Sequence, residues 1–257
     1  KGAFLANAAL ASRKDARDAV VAARAALAGW SSATGYNRGQ VLYRIAELLE
    51  GRRDQFVEEL SLSEGLSKAV ATKQVDTAID AWVWYAGWAD KYVQVAGNGN
   101  PVSGPYFNLS TPEPTGVVAI VAPQDSDSLL GLVAVVAPAI LSGNTVVVVA
   151  SEQSPLAAIS LSEVLATSDV PGGVVNILTS LLADLAPKFA EHMDVNAAIE
   201  GSGDAVSAKT LQAGSALNVK RFADHSLTAK DWKTAPGNPY WILDTVEMKT
   251  AWHPMGV

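Results

Sequence analysis

Val117-Val118-Ala119-Ile120-Val121 and Thr145-Val146-Val147-Val148-Val149 are short, largely β-branched and almost wholly apolar, and the apolar stretch 129–141 lies between them. Runs of that length without polar alternation read as strands buried on both faces, and the longer stretch has the length of a buried helix. Outward from there the alternation continues. A helix over 156–166 leads to the strand Val174-Val175-Asn176-Ile177-Leu178, a helix over 182–192 to a short strand at 197–199, and a further helix starts at Ala205. Strands alternating with helices predict a parallel sheet covered on both sides, an α/β fold. No internal repeat is present.

Upstream of this core the pattern is helical. Ser12-Arg13-Lys14-Asp15 precedes Val20, Ala23 and Leu27 and predicts a helix closed by Gly29. A second helix is read from Tyr36 through Leu42, Ile45, Leu48 and Leu49, a third through Phe56, Leu60 and Leu62 to Gly65, and a long fourth over 68–95. Trp82, Trp84, Tyr85 and Trp88 on that fourth segment are assigned to core or subunit contact rather than to ligand stacking. After Gly97-Asn98-Gly99 two strands are expected, over 102–109 and 114–121, separated by a turn. Residues 226–240 are polar and rich in turn formers, and 241–252 alternate toward the end as a half-buried strand or a helix end leading into one.

Composition narrows the function classes. Of 257 residues, 49% are hydrophobic and 18% charged, and the formal net charge is −7, so a nucleic-acid surface is not expected. No apolar stretch is long enough to span a bilayer and no signal-peptide pattern opens the chain, so the expected location is the cytoplasm. The chain starts at Lys1 without a methionine, so a preceding native segment is an expectation. His192, His225 and His253 lie far apart without ligand spacing, so no metal site is expected. His192 suits a helix end, His253 the exposed tail, and His225 a surface pair with Asp224.

Several blocks in order resemble the NAD(P)-dependent aldehyde dehydrogenases. They include Ala22-Ala23-Arg24-Ala25-Ala26 before Gly29-Trp30, Tyr85-Ala86-Gly87-Trp88-Ala89-Asp90-Lys91, Pro112-Glu113-Pro114-Thr115-Gly116, Gly143-Asn144-Thr145 and Pro171-Gly172-Gly173-Val174-Val175-Asn176. The resemblance covers roughly two hundred residues and implies N-terminal helices plus a Rossmann-like parallel-sheet domain with oligomerisation strands. It also implies a cysteine thiolate as nucleophile, yet the chain contains no cysteine.

Followed residue by residue, the implied machinery is incomplete. Where the family carries Pro-Trp-Asn-Phe-Pro, whose Asn holds the oxyanion, this chain reads Pro123-Gln124-Asp125-Ser126-Asp127, and a carboxylate would repel that charge. Of the Lys and Glu placed on the adenosine ribose, the Lys position is Val149 while Glu152 remains. The Gly-Ser-Thr-x-x-Gly turn appears as Gly201-Ser202-Gly203-Asp204-Ala205-Val206, with Val206 in place of the last glycine. The Glu-Leu-Gly-Gly-Lys block is absent near Phe222-Ala223-Asp224-His225. Glu152, Gly201 and Ser202 are therefore vestigial coenzyme positions, no catalytic residue is assigned, and no cofactor beyond weak residual NAD binding is expected.

Thr245-Val246-Glu247-Met248-Lys249-Thr250-Ala251-Trp252 resembles the family's closing Glu-x-Lys-Thr-Val-Trp strand, with only a short linker in place of a catalytic domain. The implied organisation is a helical part (1–97), an oligomerisation hairpin (98–115), the Rossmann-like part (116–225), a linker (226–240) and an oligomerisation tail (241–257). A chain from which an internal segment had been left out would read the same way. The expected interface residues are Tyr106, Phe107, Leu109, Val246, Met248 and Trp252. Unpaired strand edges and the face left bare by a missing domain call for a partner surface. Three readings follow: a non-catalytic subunit assembling with a full-length aldehyde dehydrogenase, a homo-oligomeric scaffold, or an oxidoreductase of altered mechanism using Asp125 or His225.

Overall fold

The computed structural model describes residues 4–226, 232–234 and 236–256. Ser12 opens the first helix with a capping box: its hydroxyl accepts the Asp15 N–H, and the Asp15 carboxylate accepts the Ser12 N–H at 2.7 Å. That helix, α1 (Arg13–Ser32), runs past Gly29 because Trp30 is buried, with its indole N–H donating to the Ile140 carbonyl at 2.8 Å. Then follow α2 (Gly35–Gly51), α3 (Arg53–Ser63) and α4 (Lys68–Ala86). The helix expected over 68–95 is broken after Ala86, and only Tyr92–Ala96 (α5) resumes it. A side chain at Gly35 would come within 2.5 Å of the Ala89 carbonyl oxygen, so α2 packs directly on that break. Trp82 and Tyr85 are fully buried, and Trp84 and Trp88 lie partly buried against the same core.

The next elements are β1 (Asn98–Asn100), β2 (Tyr106–Pro114), β3 (Val117–Val121), α6 (Leu130–Leu141), β4 (Thr145–Val149), α7 (Leu156–Thr167) and β5 (Val175–Leu178). After these come α8 (Leu182–Glu191), β6 (Ala197–Glu200), α9 (Ala205–Leu217), β7 (Arg221–Asp224), α10 (Tyr240–Leu243) and β8 (Val246–Pro254). Five strands form one parallel sheet in the order β5-β4-β3-β6-β7. Val118 and Ile120 face the large core shared with α2, α4, α6 and α7, while Val117, Ala119 and Val121 face a second core with α1, α8 and α9. Both faces are covered, as the continuous apolar strands require. The chain winds outward from β3 to β5 and then returns to β6 on the other side of β3. That reversal puts a crevice at the carboxyl ends of β3 and β6, where open parallel sheets hold ligands.

Three antiparallel strands, ordered β1-β2-β8, form a separate small sheet. β2 lies later than the strand expected over 102–109 and includes Pro112 and Pro114; the chain turns at Thr115-Gly116, where Gly116 has φ +135°. β1 reaches only to Ser110, so beyond it β2 is an edge on that side and tolerates proline. β2 and β8 pair along their full lengths, from Tyr106 opposite Pro254 to Pro114 opposite Val246. Lys249 and Glu113 form an ion pair across them at 2.8 Å. Arg221 ties the two sheets together, donating to the Val246 carbonyl at 3.0 Å. Among the described residues no helix is long and apolar enough to cross a membrane.

Candidate functional site

The loops leaving β3, β4 and β6 converge at the crevice. Gln124 is the hub: its amide donates to the Ala122 carbonyl at 2.7 Å, its side-chain oxygen accepts the Glu152 N–H at 2.9 Å, and its own carbonyl accepts the Ser151 hydroxyl at 2.7 Å. Asp125 is exposed and accepts from the Gln153 amide at 3.3 Å. Beside this knot lies an open cleft of about 480 Å³ whose walls include Gln124, Glu152, Leu182, Asp204, Val206 and Thr210.

Glu152 does not reach freely into the cleft, because its carboxylate accepts the backbone N–H of Leu182, the first residue of α8. A carboxylate there satisfies one of the donors a helix start leaves open and suits the positive end of its dipole. Val149 is buried at the end of β4, and Val206 is 74% exposed at the start of α9. Gly201 has no room for a side chain, since a Cβ would come within 2.9 Å of the Val121 carbonyl oxygen.

The sequence reading missed Glu200. This last residue of β6 is fully buried, and it sits beside Val121 on one neighbouring strand and Asp224 on the other. Its Oε1 accepts the Ser202 N–H at 2.5 Å and also the Ser202 hydroxyl; its Oε2 accepts the Ser207 hydroxyl at 2.7 Å. Burial pushes its pKa above the ordinary carboxylate value, and the three hydrogen bonds pull against that shift. Asp204 caps α9 by accepting the Ser207 N–H at 2.6 Å. A second polar knot was also missed: buried Asp127, at φ +55°, accepts from the Gln74 amide, and the Glu64 carboxylate accepts the N–H groups of Asp127 and Ser128 at 3.2 and 2.9 Å.

His225 corrects the sequence reading outright. It is 2% exposed, and its Nε2 lies 3.0 Å from the carboxylate of Asp244, not Asp224. Its ring stacks on Trp241 with centroids 4.2 Å apart and planes 13° from parallel. Trp241 meets Trp232 edge to face at 5.9 Å and packs on Ala134 of α6. The Asn238 carbonyl accepts the Tyr85 hydroxyl at 3.4 Å, and Ile242 enters the main core. The described part of the expected linker is thus folded onto α4 and α6; residues 227–231 and 235 lie outside the described residues.

Of the expected interface residues, Val246 is buried in the chain's own core. Tyr106, Phe107, Leu109, Met248 and Trp252 are exposed on the small sheet, with Tyr106 and Trp252 edge to face at 5.8 Å. His192 is the C-cap of α8 and accepts the Asp194 N–H, whereas His253 lies exposed in β8. Among the described residues no group of three His, Cys, Asp or Glu side chains could hold a metal ion.

Comparison with known proteins agrees with this architecture. The profile of the aldehyde dehydrogenase family matches residues 1–224. The cytosolic aldehyde dehydrogenase 1 of Elephantulus edwardii is 32% identical over 215 residues, which cover 82% of this chain and 42% of the relative. An aldehyde dehydrogenase of Bacillus cereus, solved as its NAD+ complex, superposes with a TM-score of 0.79 at 26% identity over 84% of this chain and 44% of that one. PnpE from Pseudomonas sp. WBC-3 gives 0.82 at 27% identity over 87% and 45%. The chain therefore spans less than half the length of these relatives.

Proposed function

The chain belongs to the aldehyde dehydrogenase family, and from that premise we propose that it is a non-catalytic subunit, a structural or regulatory partner of a full-length aldehyde dehydrogenase. The observation that carries this reading is the direct join between the sheet domain and the small sheet. β7 ends at Asp224, β8 begins at Val246, and the described residues between them pack onto α4 and α6 through Trp232, Trp241 and Ile242. No cysteine occurs anywhere in the sequence to serve as the family's nucleophile.

The neighbouring chemistry supports the same reading. Asp125 stands as an exposed carboxylate where an oxyanion donor is needed. His225 is buried, stacked on Trp241 and paired through Nε2 with the Asp244 carboxylate. The residues at the glycine turn fit a pyrophosphate poorly: the Glu200 carboxylate already takes the Ser202 donors, Val206 stands where the turn's last glycine would be, and Glu152 is engaged with α8. What the chain presents instead is exposed apolar side chains on both faces of the small sheet, Phe107 at 52% exposure on one and Trp252 at 59% on the other. The outer edge of β8 has no strand partner among the described residues. Aromatic side chains are the types enriched at the centre of protein interfaces.

Purification from the native source under mild conditions, followed by identification of every co-eluting chain, tests the proposal. A cysteine-containing family member in fixed ratio is the expected result. A well-behaved monomer, or a homo-oligomer of this chain alone, overturns it.

A further inference from the structure

A glycine turn after a parallel strand binds phosphate because its backbone donors and the following helix start converge on an anion. At the end of β6 those donors already converge on anions belonging to the chain. Glu200 takes the Ser202 N–H, the Ser202 hydroxyl and the Ser207 hydroxyl, while Asp204 takes the Ser207 N–H and donates its own N–H to the Ser202 hydroxyl at 3.0 Å. Three donors on one carboxyl group are the complement of an ionised acceptor. The backbone of the turn keeps its tight form, with Gly201 pressed on the Val121 carbonyl and Gly203 at φ +77°. A charge fully buried at the end of Ala197-Ala198-Ile199, directly beside Asp224, has no role in packing an apolar strand.

We propose that Glu200 is a built-in surrogate anion, which fills the phosphate position of the glycine turn and makes the crevice reject dinucleotides and other phosphate ligands. The inference rests on the family reading of the crevice but is independent of the partner. It assigns the expected weak coenzyme binding to one buried carboxylate beneath the turn.

The test is calorimetric titration of the full chain with NAD and with ADP. The wild type should give a dissociation constant weaker than about 1 mM. Glu200→Gln, which keeps the size and removes the charge, and Glu200→Ser, which also opens space, should each bind at least about tenfold more tightly, because the like charge that occupies the turn's donors is gone. Circular dichroism and the Tm establish that each variant is folded. Folded variants that bind no better than wild type overturn the inference. The wild-type arm needs no substitution, and saturable micromolar binding there overturns it as well. Neither result touches the subunit proposal, which is decided by what co-purifies with the chain.

Discussion

Replacing Trp241 by alanine should remove the keystone of the segment that joins the two sheets. The side chain is 3% exposed, stacks on His225, meets Trp232 edge to face and packs on Ala134. A buried tryptophan removes roughly 150–250 Å² from water, worth about 4–6 kcal/mol at 25 cal/mol per Å² as an upper bound. Buried Trp and Phe truncations cost about 3–5 kcal/mol, so about 3–4 kcal/mol is the expected loss here. That is a large share of a total stability of about 5–15 kcal/mol. In a chain of this size it lowers the Tm by roughly 6–16 °C. Urea unfolding followed by far-UV circular dichroism measures it without relying on tryptophan fluorescence. Trp252→Ala, at an exposed position, serves as the control and should stay within about 0.5 kcal/mol of wild type. A loss below about 1 kcal/mol for Trp241→Ala would refute the reasoning, because the joining segment would then be a loose tether instead of part of the fold.

Asn144 is fully buried, accepts the Gly116 N–H at 2.8 Å and donates to the Thr245 carbonyl at 2.8 Å, so it locks the start of β8 to the large sheet. Asn144→Ala should cost about 2–4 kcal/mol in urea unfolding and speed amide exchange around Thr115, whose N–H donates to the same Thr245 carbonyl. Burial raises the Glu200 pKa, so the folded state holds that proton to higher pH than the unfolded chain. The contribution is fully present below the unfolded carboxylate value and is lost as pH rises through the folded one. The Tm of Glu200→Gln relative to wild type should therefore climb between pH 4 and pH 7, and a flat difference would contradict the shift. Phe107→Lys, at an exposed site on the small sheet, should leave the Tm of the isolated chain nearly unchanged while reducing recovery of the partner at least about tenfold.

How far the sequence reached can be followed at particular residues. Val117 to Val121 and Thr145 to Val149 announced their strands because burial on both faces leaves a chemical signature that no neighbour has to supply. Gly29 misled because a glycine next to solvent weakens a helix by only about 1 kcal/mol, less than burying Trp30 returns. The pairing of His225 was misread from adjacency. Successive residues of an extended chain point to opposite faces, and the partner, Asp244, arrives only through the fold of the segment that follows. Val246 reads from the sequence as an interface residue of a half-buried strand, but pairing with Pro114 brings the first residue of β8 under the main core. Glu200 left one faint signal, a charged residue ending an apolar strand beside a glycine turn. Its significance lies in Ser202 and Ser207, whose hydroxyls turn inward only once α9 is placed.

The central claim, a family member that serves as a partner and not as a catalyst, is tested most directly by native mass spectrometry of the assembly isolated from its source. The account predicts this chain in fixed stoichiometry with a longer, cysteine-bearing aldehyde dehydrogenase, and no aldehyde-dependent NADH formation when the chain is assayed alone. Isolation of the chain by itself with measurable turnover would contradict it.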